Sequence, residues 1–443
     1  MKEKLTLRQL LLIGSMLFGL FFGAGNLIFP LILGAQAGQN LPSALLGLLI
    51  TAVGIPLLGV MSIGLSRSEG LPDLAERVSK RFRLLFTCAL YLTIGPLFAI
   101  PRCAATSFTI GVSPLVGENP WLWQLGFSVC FFGAVLYFSM KPSKILDSVG
   151  KYLNPAFLVF LGIMLVTALA KPVQSMSSVE PGGAYARSAF TAGFLQGYDT
   201  LDALASLAFG IIVIRAVRQL GVTEPERVAV STVNAGLVSM SLMAILYAAT
   251  ALVGAQSFGL YAQRLSDPGF TGGDAFAIIA RHYFGGGGGL LLAVTVTLCC
   301  MKTAVGLVTS CAGTFEELFP GTLSYPQWAV AFSGASLLIS NFGLSRIIEF
   351  SAPVLYFLYP LAIVLILLGL FGAFFHHARS VYQCTMWFTL AAAVLELCRV
   401  VGFRPVADLA GRLLPFYTYG LGWVIPAVLG FAVGMLLHRF GRT

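Results

Sequence analysis

The chain has 443 residues, 57% of them hydrophobic and only 10% charged, with a mean hydropathy of +0.88. A water-soluble domain cannot be built from that balance, because too few charged side chains remain to cover its surface. The net charge of +9 raises nucleic acid as a partner, so the placement of the basic residues has to decide.

A membrane helix needs about 20 mostly apolar residues. On that measure the sequence predicts twelve spans, at 10–35, 42–65, 84–110, 121–140, 147–169, 190–214, 228–253, 286–313, 326–341, 347–373, 382–400 and 418–438. The first is interrupted at its middle by Phe21-Phe22-Gly23-Ala24-Gly25-Asn26-Leu27-Ile28-Phe29-Pro30. Gly costs about 1 kcal/mol and Pro about 3 kcal/mol in a helix interior, and in hydrocarbon the freed backbone groups must find partners. Such a break is kept where unwound backbone lines a cavity and coordinates a solute, as in secondary transporters.

The third span carries Arg102 directly after Pro101, which predicts a kink from which the guanidinium reaches backbone carbonyls or snorkels to an interface. A structural role of this kind is weighed above substrate contact. The sixth span holds Asp199 and Asp202 and is predicted to be interrupted over Ala203–Gly210. Long joints rich in Ser, Pro and Gly precede the sixth and eighth spans, at 170–189 and 256–284, the latter running into Gly285–Gly289. They suit gates or hinges, and equally plain linkers. The eighth span contains Lys302, an ammonium that costs about 2.5–3.5 kcal/mol at a span centre and so calls for a partner or water.

With the N-terminus inside, and with the span-end residues Lys151 and Arg399 counted in the adjoining loops, 17 of the 27 Lys and Arg residues fall on the inner face and 8 on the outer, leaving Arg102 and Lys302 deep within spans. That is the positive-inside pattern, so the cluster Arg67, Arg77, Lys80, Arg81 and Arg83 reads as a topology signal and not a nucleic-acid site. The inner loop 314–325, with Glu316 and Glu317 and no base, runs against the rule. The first apolar stretch is too long for a leader h-region and lacks a cleavage site, so it is expected to be retained. The eight cysteines all fall within predicted spans without CxxC spacing, and the four histidines form no HExxH. No metal or nucleophile site is predicted.

One internal repeat is visible: Pro101-Arg102-Cys103-Ala104 in the third span and Met301-Lys302-Thr303-Ala304 in the eighth each put a cation two residues before alanine. The two would correspond if the first ten helices formed two inverted repeats of five. The stretch Gly19–Pro30 with Gly34 and Gln36-Ala37-Gly38 resembles the branched-chain amino acid:cation symporters of the BrnQ type. So do Gly95–Ala99 with Pro101-Arg102 and Ala105–Phe108, Gly193–Gly210, Thr303–Leu307, and Asn341–Ser345 with Pro353. The resemblance covers nearly the whole chain.

It implies an all-α polytopic membrane protein of about 12 transmembrane helices in the LeuT-like class. Helices 1 and 6 would be broken, residues 1–169 and 190–373 would be the two repeats, and 382–443 would hold the last two helices. It further implies a multi-pass protein of the bacterial inner membrane, with both termini cytoplasmic, that takes up leucine, isoleucine and valine with Na⁺. No obligate protein partner is evident. An amino-acid zwitterion needs an anion site, a cation site and an apolar slot. The amides around Gly23, Ala24 and Gly25 can cradle its carboxylate. Carbonyls around Ala205, Ser206 and Phe209 would receive the ammonium, with the Phe209 ring selecting a branched side chain.

The wider class implies a sodium site from carbonyls of Gly19, Phe22 and Cys299 and the hydroxyl of Thr303, with the last ligand from position 302. Here the sequence departs from the pattern, since an ammonium has three donors and no acceptor. Lys302 could occupy the sodium site itself, giving proton-coupled or cation-independent transport. The expectation is that it pairs with Asp199 or Asp202, either altering Na⁺ coupling or as a purely structural pair. Asn26 either caps the second half of the broken helix or offers its oxygen to Na⁺, and the resemblance favours the ion.

Two other function classes fit less well. A membrane enzyme would need more than the lone pair Asp199 and Asp202 at i, i+3, and a channel would need repeated polar rings that no span carries.

Overall fold

The computed structural model describes residues 5–66, 68–116, 120–141, 151, 154–267 and 269–440, which are almost entirely helical and include no strand. Arg67, Pro268 and the residues 147–150, 152 and 153 of the fifth predicted span lie outside the described residues. In chain order the first helices are α1 (Leu7–Phe21), α2 (Ala24–Ala37), α3 (Leu41–Leu49), α4 (Ile55–Leu65), α5 (Leu71–Glu76) and α6 (Lys80–Leu92). Next come α7 (Ala99–Ser107), α8 (Pro120–Ser139), α9 (Asn154–Ala170), α10 (Gly183–Gln196), α11 (Asp202–Gln219) and α12 (Pro225–Gln256). The last are α13 (Gly272–Leu318), α14 (Tyr325–Ser340), α15 (Leu344–Leu370), α16 (Arg379–Val400), α17 (Arg404–Leu413) and α18 (Val424–Phe440).

By length and hydropathy seven helical stretches of the described residues can cross a bilayer, or eight if the bent pair α10 and α11 counts as one. α1, α9 and α18 are apolar but shorter. The sequence reading of twelve spans is therefore not matched helix for helix on this measure. One reason is that α1 stops after 15 residues at the Gly-rich break. Another is that α2 to α4 run on as one stretch of 42 residues, about 63 Å at 1.5 Å per residue and twice a bilayer core, with the turn at Gly38 (φ 49°) inside it.

α1 opens with a capping box, Thr6 Oγ1 accepting from Gln9 N–H while Gln9 Oε1 accepts from Thr6 N–H. It closes at Phe22, which is extended (φ −71°, ψ 92°), as is Gly23 (φ −119°, ψ −156°), before α2 begins. α2 is held against α12 backbone to backbone: a Cβ on Gly34 would lie 1.8 Å from the Ala251 carbonyl oxygen, and one on Gly254 2.1 Å from that of Leu31. Only glycine allows this approach, the usual device for close helix packing in a membrane.

Three breaks differ from the sequence reading. The sixth predicted span is interrupted upstream of Ala203–Gly210, which lie inside the regular helix α11. Its break is the 3₁₀ turn Gly197–Thr200 followed by Leu201 in the left-handed region (φ 68°, ψ 4°), with a bend of 46°. The third span kinks at Gly95-Pro96, not at Pro101, because Pro101 falls in the first turn of α7 where no intrahelical N–H is needed. The glycines expected to form a joint before the eighth span belong to α13, which is broken only at Gly285 (φ 58°, ψ −140°). A short amphipathic helix, α17, also lies between the last two predicted spans.

Candidate functional site

The break between α1 and α2 leaves the first N–H groups of α2, those of Ala24, Gly25 and Asn26, without a carbonyl in their own helix. Asn26 organises this end. Its Oδ1 accepts from Gly23 N–H at 2.9 Å, and its Nδ2 donates to Asp202 Oδ2 at 2.8 Å and contacts the Tyr247 hydroxyl. Tyr247 O–H donates to the same Asp202 oxygen at 2.7 Å. Asn26 thus caps the helix, its oxygen accepting from the Gly23 amide. Asp202, 2% exposed, is the first residue of α11, so this triad joins the two broken helices through α12.

Arg102 comes from α7 on the other side. Its NH1 donates to the Asp199 carbonyl at 2.7 Å and its NH2 to the Thr200 carbonyl at 3.4 Å, and the guanidinium lies 5.4 Å from the Phe29 ring centroid. A Cβ on Gly25 would meet NH2 at 2.8 Å. The backbone-carbonyl contact read from the sequence is present. Arg102 also lines a central cavity with Gly23, Gly25, Asn26, Asp202 and Thr200.

Ala205 and Phe209 line that cavity as well, and Phe209 meets Phe21 edge to face at 5.2 Å. The expected ammonium acceptors are corrected here. Carbonyls of Ala205, Ser206 and Phe209 belong to the helical ladder of α11, while Ser206 Oγ bonds back to the Ala203 carbonyl at 2.7 Å. The carbonyls presented by the second break are those of Asp199 and Thr200. The cavity holds only about 20 Å³, room for one water, and lies between two larger ones. One, of about 690 Å³, is lined by Gln36, Glu180, Asp199 and Tyr356; the other, of about 460 Å³, by Asp73, Arg83, Arg215 and Glu317. The Asp199 carboxylate accepts from Gln196 Nε2 at 3.0 Å and so faces the first of these.

Behind the break, the Gly19 carbonyl accepts from Thr303 Oγ1 at 3.3 Å, and the Phe22 carbonyl from Cys299 Sγ at 3.2 Å. A Cβ on Gly23 would come within 3.0 Å of Thr303, so only glycine lets the hydroxyl this close. Two carbonyls at the negative end of α1 and one hydroxyl form a hard, uncharged oxygen set that fits Na⁺, while the Cys299 thiol is a poor ligand for it. The Cys299 carbonyl, expected as a ligand, lies within the helical ladder of α13.

Lys302 departs from expectation. It is fully buried and donates to Asn154 Oδ1 at 3.1 Å, with its Nζ 4.0, 4.9 and 5.7 Å from the ring centroids of Phe157, Phe18 and Phe22. No carboxylate of the described residues lies within 4.0 Å, so it pairs with neither Asp199 nor Asp202. The reason is rotational: one residue before Thr303, it faces α9 and the rings rather than α11. Asn154 and Tyr247 were not singled out in the sequence. The signal available was weak, since both spans carry other polar residues, Asp147 and Lys151 in one and Ser231, Thr232 and Asn234 in the other.

Two interrupted helices crossing beside a buried cation and a buried anion, in a chain of many apolar helices, define a multi-pass membrane protein with the fold of the LeuT-like cation symporters. Among solved structures, Mhp1, a nucleobase-cation-symport-1 family transporter in a closed conformation with bromovinylhydantoin bound, superposes with a TM-score of 0.63 at 14% identity. The match covers 97% of this chain and 92% of that one. A Na⁺-coupled sialic acid symporter in a substrate-bound outward-open state matches with a TM-score of 0.61 at 14% identity, over 97% and 90%. These likenesses establish the fold.

The family follows from sequence: a family model described as branched-chain amino acid transport protein matches residues 6–441, and the chain belongs to that family. The branched-chain amino acid permease BrnQ of Lactobacillus delbrueckii subsp. lactis is 48% identical, covering 98% of this chain and 97% of its own. BrnQ of Bacillus subtilis is 39% identical over 99% of each chain, and BrnQ of Escherichia coli K12 36% over 99% and 98%.

Proposed function

We propose that the protein is a secondary active transporter that imports leucine, isoleucine and valine across a bacterial inner membrane together with Na⁺, both termini being cytoplasmic. The observation that carries the reading is the meeting of Gly23–Asn26, Arg102 and Asp202 around one small cavity walled on the far side by Phe209 and Leu307. A zwitterion needs such opposed charges, and once the cavity widens beyond its volume here of about 20 Å³ the apolar wall would take a branched side chain. A slot of this kind separates ligands that differ by one methylene by only about 1–3 kcal/mol, so it accepts all three.

Na⁺ bound at the Gly19, Phe22 and Thr303 oxygens would place positive charge behind the amides that receive the carboxylate. The chain's own contribution is to hold those oxygens in place through α13 and to keep Gly23 extended. The two repeats, 1–169 and 190–373, would exchange access between the cavities of about 690 and 460 Å³, with the last two helices as an appended pair. Transport leaves the substrate chemically unchanged.

A second reading, transport coupled to protons or to no cation, is favoured by one observation. Lys302 places an ammonium against Phe22, whose carbonyl belongs to the Na⁺ set, with no counter-ion within 4.0 Å among the described residues. Leucine uptake into proteoliposomes under an imposed Na⁺ gradient, a pH gradient or neither separates the two. Stimulation by Na⁺ supports the first reading. Uptake indifferent to Na⁺ in the native protein, but stimulated by it after Lys302→Thr, supports the second, and no leucine uptake under any gradient rejects both.

A further inference from the structure

Arg102 is 4% exposed, yet no carboxylate of the described residues lies within 4.0 Å of it. Its terminal nitrogens are occupied by two neutral carbonyls, and its Nε, also buried, has no hydrogen-bond partner among the described residues. A buried guanidinium without a counter-ion is expensive to keep. Here it sits on the wall of the cavity, beside Gly25 in the first turn of α2. Its five donors are arranged as a planar fork that matches a carboxylate.

We propose that Arg102 binds the substrate's carboxylate, and that in turning to it the guanidinium releases the Asp199 and Thr200 carbonyls to the substrate's ammonium. The inference rests on the zwitterion reading above and assigns that site a binding residue. Two carbonyls left without Arg102 need new donors in a dry setting, and an ammonium has three. Asp202 supports the same end of the ligand: its Oδ2 takes both Asn26 and Tyr247, in the same cavity. The exchange leaves every polar group satisfied only when one ligand carries both charges. An amine lacking the carboxylate would face Arg102 with its carbonyls still engaged. A carboxylate lacking the amine would strand those carbonyls. Selection for α-amino acids thus follows from a partner exchange at one side chain.

The test is binding of leucine and of leucine amide, which keeps the ammonium but not the carboxylate, to purified full-length protein and to its Arg102→Gln and Arg102→Lys variants. In the native protein leucine should bind at least about tenfold more tightly than its amide. Arg102→Gln should weaken leucine by about tenfold or more and leave the amide bound as tightly or more tightly, since its carbonyls are no longer engaged, so that the preference collapses. Arg102→Lys, which keeps the charge but not the fork, should fall between and serves as the variant to read if the glutamine form does not fold. A parallel loss of both ligands, or no change in either, would overturn the inference and leave the transport reading standing. Native protein that binds none of leucine, isoleucine and valine would instead reject the transport reading itself, and this inference with it.

Discussion

Lys302 on α13 and Asn154 on α9 are joined by a single hydrogen bond of 3.1 Å, Nζ to Oδ1, inside a cage of three phenylalanine rings. The ammonium is held by an amide dipole and ring faces and not by an opposite charge. Cation–π contacts of this kind are worth about 2 kcal/mol or more each when desolvated.

Asn154→Leu therefore removes the acceptor and leaves the charge buried. It is expected to lower stability by about 1.5–3 kcal/mol, read as a fall in the detergent-solubilised melting temperature. The double variant Asn154→Leu with Lys302→Met should recover the share of that loss due to the stranded ammonium, while the donation of Asn154 Nδ2 to the Ser15 carbonyl and hydroxyl stays lost. Additive destabilisation in the double variant would show that the two residues do not act as a pair.

The two aspartates of the sixth predicted span separate in function. Asp202 lines the central cavity with both Asn26 and Tyr247 on one oxygen, whereas Asp199 turns its carboxylate to Gln196 and the larger cavity. Asp202→Asn is expected to weaken leucine binding by about tenfold or more and Asp199→Asn by less than about threefold. Equal effects would show that the carboxylates share a role.

Gly34→Val drives a side chain into the Ala251 carbonyl, whose oxygen would be 1.8 Å from the new Cβ. The cost should reach the upper end of about 1–3 kcal/mol, seen as lost expression or a lowered melting temperature. Gly126→Ala on α8, where the new Cβ meets nothing within 4 Å, is the control and should change little.

Outside the bilayer, Arg77 NH1 lies 2.5 Å from His377 Nδ1, with Tyr382 O–H at 3.2 Å from the same nitrogen. Partial burial and then the Arg77 charge lower the histidine pKa from its ordinary 6.5. The folded protein takes up this proton at lower pH than the unfolded chain. The contribution is thus fully present above pH 6.5 and is lost as pH falls through the folded value. Melting temperature should drop more steeply as pH falls below 6.5 in the native protein than in His377→Gln. Parallel curves would exclude the histidine.

The first break could be read from sequence because Gly23, Gly25 and Pro30 are residues a helix avoids, and the family resemblance rested on the same stretch. The second was displaced by several residues because its left-handed position is Leu201, which carries no such signal, while Ala203–Gly210 looks unlike a membrane helix only in being rich in small residues. Arg102 was read as reaching carbonyls, and it does, but its place on the cavity wall depends on the kink at Gly95-Pro96 several residues away. Lys302 was given a carboxylate partner on electrostatic grounds. Sequence contains no information on the rotation of α13 relative to α9, and that rotation chose Asn154.

The interlock of Gly34 and Gly254 fixes what can travel together. With their backbones in mutual contact, α2 and α12 form one mechanical body, and Asn26 and Tyr247 ride on it as a pair. α1 is joined to that body through Phe22 and Gly23 and also packs along α12, where a Cβ on Gly14 would lie 2.6 Å from Val238 Cγ1. The two donors to the Asp202 carboxylate thus come from one unit, so whatever α11 does relative to it, Asn26 and Tyr247 reach or leave that oxygen together.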